Sequence, residues 1–89
     1  LKFLYIKRGR HMEKKLSAFN VGDRGIIKSI AGEGKARRRL FDMGVTPGAE
    51  VVLRKKAPLG DPLEIHIRGY ELTLRKNEAE LVTMEVDPS

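Results

Sequence analysis

The sequence predicts a mainly β fold, a small barrel or sandwich of five short strands with one short inserted helix. Three observations carry that expectation. Apolar and polar residues alternate over several short stretches, and clusters of Gly, Pro, Asn and Asp separate those stretches every few residues. Only one stretch has helical spacing, and it lies between strands. With 89 residues there is room for one domain. A domain of that size buries only ~60% of its unfolded surface, so its core has little stability to spare.

Taken in order, Asn20-Val21-Gly22-Asp23 has turn chemistry, and Arg24 to Ile30 reads as an isoleucine-rich strand. Ala31-Gly32-Glu33-Gly34 breaks it. Lys35 to Met43 is the helix: Ala36, Leu40 and Met43 fall at i, i+4 and i+7 and share a face expected to pack on the core. Gly44 is placed to end it, and Pro47 prevents its continuation. Ala49 to Lys55 alternates as a second strand, and Pro58 to Pro62 is a loop by composition. Leu63, Ile65 and Ile67 alternate with Glu64, His66 and Arg68, the cleanest half-buried strand of the chain. Arg68-Gly69 is a tight corner into the strand Tyr70 to Arg75. Asn77 to Glu80 reads as one helical turn with Asn77 as its cap, and Leu81 to Val86 as the last strand.

Composition removes several function classes. There is no cysteine, hence no disulfide framework, thiolate metal site or cysteine nucleophile, in keeping with a reducing cytoplasmic setting. No apolar run approaches the ~20 residues that span a bilayer. The net charge of +6 resembles a nucleic-acid signal, but residues 1–11 carry Lys2, Lys7, Arg8 and Arg10 and no acid. The rest holds 14 basic against 12 acidic side chains, a balance that gives little push toward phosphate. The chain opens at Leu1, and His11-Met12 is the dipeptide a common cloning site leaves before a native start. Residues 1–11 are therefore read as vector-derived, residues 1–14 as poorly ordered, and 15–87 as the domain.

No enzyme site emerges from the residues. Ser17, Ser29 and Ser89 have neither a neighbouring histidine nor a nucleophile elbow. Glu64 and His66 share a strand face and could touch Fe(II) or another divalent ion weakly, but two ligands fall short of a built site, and a solvated face is preferred. Gly32-Glu33-Gly34-Lys35 lacks the Walker spacing and reads as an ordinary loop-to-helix turn. Arg37-Arg38-Arg39 could hold phosphates or an acidic partner, or simply face water, the preferred reading. Beyond residue 11 only Phe19, Phe41 and Tyr70 could supply stacking, so no nucleic-acid partner is expected. Phe41 and Leu59 are candidates for a small apolar docking patch, with Leu59 equally able to fold back on the core.

The run Arg38-Arg39-Leu40-Phe41-Asp42-Met43-Gly44-Val45-Thr46-Pro47-Gly48 resembles the signature of the FeoA family, in which a basic helix ends at Met-Gly before a Pro-Gly turn. Ala57-Pro58-Leu59-Gly60-Asp61-Pro62-Leu63 is similar to that family's Pro-x-Gly-Asp-Pro loop. Gly69-Tyr70, Leu72-Thr73-Leu74-Arg75 and Glu78-Ala79 follow in the same order.

The resemblance implies an SH3-like barrel of five strands with the helix inserted after the first. It also implies a non-enzymatic cytoplasmic protein of ferrous iron uptake that acts with the membrane permease FeoB and its GTPase portion. The same fold closes metal-dependent repressors of the DtxR type, which makes a regulatory or nucleic-acid-binding barrel the alternative. No resident cofactor is implied. The residues expected to meet the partner are Arg37, Arg38 and Phe41 on the helix and Pro58, Leu59, Gly60, Asp61 and Pro62 in the loop. Two prolines stiffen that loop, so little entropy is lost on docking.

Overall fold

Strand pairing organises the molecule. In the computed structural model, which describes residues 12–87, six antiparallel strands form one sheet in the order β1-β6-β2-β3-β4-β5. They are β1 (Met12–Lys15), β2 (Arg24–Ile30), β3 (Glu50–Lys56), β4 (Leu63–Ile67), β5 (Tyr70–Leu74) and β6 (Val82–Val86). Helix α1 (Lys35–Asp42) joins β2 to β3, and the single turn α2 (Lys76–Ala79) joins β5 to β6. A 3-10 turn, Leu16–Ala18, follows β1.

The expected five strands are therefore six. The addition, β1, pairs Met12 with Val86 and Lys15 with Thr83. It takes up residues 12–14, which the sequence assigned to a poorly ordered segment; residues 1–11 lie outside the described residues. Met-Glu-Lys-Lys has no apolar alternation to announce a strand, and its structure comes from pairing with β6.

Alternation places the core. Val51, Leu53, Leu63, Ile65, Ile67, Leu74, Val82 and Met84 point inward and are buried, together with Leu16 and Phe19 from the first turn. Ile27 and Ile30 are three apart yet both buried, because the register with β6 shifts between Ile27 and Ser29. Such an extra residue restores the inward phase and bends the strand. A second shift between Leu53 and Lys55 bends β3 against β4, and the sheet curls over one core without closing. On the outer side Lys28 reaches across β6 to Glu13. Its hydrogen bond to Glu13, then the charges of Glu13 and Glu85, hold its ammonium pKa above the usual value.

The helix departs from expectation on its apolar face. Leu40 alone is buried; Ala36 is exposed and Met43 half-buried. At the far end Arg75, not Asn77, occupies the N-cap of α2. With so little burial, α1 is held by its ends and by polar clips.

Candidate functional site

The three adjacent arginines of α1 do three different things. Arg37 Nε donates to the Ile30 carbonyl at 3.2 Å, and its guanidinium lies 4.6 Å from the Phe41 ring centroid, a cation–π contact. Arg38 faces water. Arg39 pairs with Glu78, a carboxylate only 5% exposed, whose Oε1 also accepts the Arg75 backbone N–H at 2.9 Å. Successive residues on a helix point about 100° apart, so an unbroken charge run in sequence is divided among three surroundings.

The Arg39–Glu78 pair clips α1 to α2. Glu78→Ala is expected to lower stability by about 1–3 kcal/mol, because it removes a buried acceptor from the cap and the partner of Arg39. Glu78→Gln keeps an acceptor for Arg75 and should lose less. Urea unfolding of the two variants separates the cap from the charge pair: equal losses would show that the cap acceptor contributes nothing, and no loss in Glu78→Gln would show that the pair contributes nothing.

The helix exit is pinned from the β4–β5 corner. Arg68 and Gly69, at φ 50° and 88°, form the two-residue turn that joins the strands. From there Arg68 Nε donates to the Gly44 carbonyl at 3.0 Å and its guanidinium to Thr46 Oγ1 at 2.6 Å, while Tyr70 Oη donates to the Met43 carbonyl. Gly44, at φ 90°, leaves no room for a side chain, since a Cβ there would sit 2.7 Å from Tyr70 Oη. Sequence reasoning placed Gly44 correctly as a helix stop and missed the latch of Arg68 and Tyr70. Residues more than twenty positions away make it, and no local pattern marks them.

The 57–62 loop is built as a projecting turn. Gly60 N–H donates to the Ala57 carbonyl at 2.7 Å, and Ala57 N–H to the Pro62 carbonyl at 3.0 Å. Asp61 Oδ1 accepts the Lys76 backbone N–H at 3.0 Å, tying the loop to α2, and the Asp61–Pro62 peptide is cis. At the loop's base Lys56 Nζ donates to the Ser17 and Phe19 carbonyls at 3.1 and 2.8 Å. Leu59 stands at the tip, 87% exposed, rather than folded back on the core.

These residues do not line one hollow. Arg37, Arg38 and Phe41 line a hollow with Ile30, Gly32 and Gly34 at the start of α1. Asp61 and Pro62 line another with Arg39, Thr73, Arg75 and Glu78. Thus Arg39 is the helix residue that shares a hollow with the loop. His66 and Glu64 share the outer face as expected, and His66 Nδ1 lies 2.7 Å from Glu71, with Arg54 3.8 Å from the same carboxylate. Among the described residues no group of three or more His, Asp and Glu is placed to hold a metal ion, and no helix is long and apolar enough to cross a membrane.

Residues 14–86 match the family model described as the FeoA domain. The Fe(2+) transport protein A/Fe(2+) transporter FeoB fusion protein of Porphyromonas gingivalis is 32% identical over 72 residues, 81% of this chain and 8% of that protein. The chain thus spans under a tenth of that relative's length. The solution structure of FeoA from Chlorobium tepidum is 42% identical and superposes with a TM-score of 0.73, covering 85% of this chain and 71% of the other. Zinc-complexed FeoA of Stenotrophomonas maltophilia, described as a prokaryotic SH3 domain protein, is 27% identical with a TM-score of 0.67, covering 78% and 86%.

Proposed function

Because the chain belongs to the FeoA family, and is thereby linked to ferrous iron transport, we propose that it is a non-enzymatic docking module for the cytosolic, GTPase-bearing portion of a FeoB-like permease. The observation that carries this reading is Leu59, an apolar side chain held 87% exposed on a turn with three hydrogen-bonded ties. A stiff loop that presents one large apolar residue loses little freedom when it is captured. The fusion relative from Porphyromonas gingivalis supports the choice of partner, since its name joins the two proteins in one chain.

In this reading Leu59 enters an apolar pocket while Pro58, Gly60, Asp61 and Pro62 hold its approach. Arg37, Arg38 and Phe41 form a second contact at the start of α1. A nucleic-acid reading has less behind it: Arg37 is spent on Phe41 and Ile30, and Arg39 on Glu78, so the run offers no open row of guanidinium groups.

An NMR titration of the chain with the soluble GTPase portion of FeoB tests the proposal. Amide shifts clustered on residues 58–62 and 37–41 are the expected result. Absence of shifts in every nucleotide state would rule out that portion as the docking partner.

A further inference from the structure

The two edges of the sheet are built differently. β1 ends the sheet on one side with two lysines in four residues, a common way of discouraging unwanted pairing. β5 ends it on the other side with Tyr-Glu-Leu-Thr-Leu, which has no Pro, Gly, Lys or register shift and is rich in strand formers.

Pairing parity shows which backbone groups that edge offers. A two-residue turn makes Ile67 and Tyr70 a hydrogen-bonded pair, so Ile65↔Leu72 and Leu63↔Leu74 are hydrogen-bonded pairs too. The N–H and C=O groups of Glu71 and Thr73 then point away from β4. The next N–H in that series, Arg75, is the one capped by Glu78. Glu71 and Thr73 are exposed, and among the described residues β4 is the sole strand paired with β5.

Charge selects the occupant. Arg68 stands at the start of β5, with Arg75 and Lys76 at its end. Arg68 bonds neutral acceptors only, and Arg75 and Lys76 have no ion-pair partner among the described residues. Of the acids nearby, Glu71 is engaged by His66 and Arg54, Asp61 by Lys76 N–H and Glu78 by Arg39, while Glu64 stands opposite Thr73 on β4, on the side away from the free edge. At the end of β5 the hollow shared by Thr73, Leu74, Arg75 and Arg39 is large enough, at about 560 Å³, for added side chains.

We infer that the β5 edge is a strand-addition site for an extended segment of a partner protein, apolar at its centre and acidic at both ends. The segment pairs antiparallel, exchanging hydrogen bonds with Glu71 and Thr73 and laying an apolar residue beside half-buried Leu72. Its acidic ends meet Arg75 and Arg68. A second copy of this chain would instead bring those cations together with their like. The site requires neither Leu59 itself nor the identity of the permease partner, although Asp61 and Pro62 at the loop's end line the same hollow.

The test is an NMR titration and amide-exchange measurement on the whole chain with the capped heptapeptide Glu-Val-Thr-Val-Lys-Val-Glu. Expected are shifts and at least about tenfold slower exchange at Glu71 and Thr73, with binding weakened several-fold between low and high salt. N-methylation of the peptide's threonine, whose N–H would serve the Thr73 carbonyl, should weaken binding about tenfold or more without touching the protein. Thr73→Pro should do the same, since proline is tolerated on an edge where the N–H faces solvent. No binding at millimolar peptide would overturn the inference, as would equal binding of the N-methylated or a scrambled peptide. Concentration-dependent protection of Glu71 and Thr73 without peptide, at a dimer's mass, would overturn it in favour of self-pairing.

Discussion

Gly25→Ala is expected to lower the stability of this domain by about 2–3 kcal/mol, a loss that overpacking into backbone produces. A Cβ at Gly25 would lie 2.7 Å from the Glu85 carbonyl oxygen, 2.9 Å from Val86 Cγ1 and 3.4 Å from the Phe19 ring. The first contact decides the outcome, because a backbone oxygen in a strand cannot swing aside. β2 must draw away from β6 where Ile26 pairs with Glu85, and β6 also holds β1 there through Met12 and Val86. Alanine would restrict the unfolded chain and return only about 0.4–1 kcal/mol. In a domain this small the net loss corresponds to a Tm lower by roughly 10–20 °C. Adding Val86→Ala should restore only part of it, since it relieves the side-chain contact and leaves the carbonyl. An unchanged Tm would mean that the strands have more slack than the packing shows.

Leu59→Asp is expected to act in the opposite manner, sparing the fold and disabling docking. Leu59 makes no contribution to the core, and surface substitutions of that kind usually stay within about 0.5 kcal/mol. If Leu59 is the anchor that enters the partner's pocket, a carboxylate in its place loses the apolar burial and places a charge in a desolvated pocket. Hot-spot losses of about 2 kcal/mol or more correspond to at least thirtyfold weaker binding. Calorimetry with the soluble GTPase portion of FeoB, beside a thermal melt, reads both quantities. Unaltered affinity with an unaltered Tm would remove Leu59 from the interface, while lost affinity with a collapsed Tm would show a structural role.

Much of the fold was legible because strands write their alternation into sequence. The strand from Leu63 to Ile67 was bounded correctly, and the mainly β, SH3-like character with one inserted helix stands. β1 was missed because its four residues carry no inward-facing series of their own. Ala36 was expected on the core face of α1 and is exposed; a helical stripe shows which residues share a face, not how closely the helix approaches the sheet. The candidate site was legible only in part. Loop stiffness could be read from Pro58 and Pro62, but the exposure of Leu59 could not, since a leucine at a loop tip is equally able to turn inward.

What the sequence by itself determined is everything governed by neighbours in the chain: the alternating strands, the helix stop at Gly44, the turn at Arg68-Gly69 and the ordered motifs of the FeoA family. Tertiary structure alone decided the division of Arg37, Arg38 and Arg39 among three surroundings, the burial of Glu78, and the steric demand at Gly25. It also left β5 as an edge without lysine. The physical reason is range. Backbone propensity and side-chain periodicity act over a few residues, whereas a carboxylate's partner, a glycine's neighbours and a strand's free edge are set by segments from distant parts of the chain packing into one small volume.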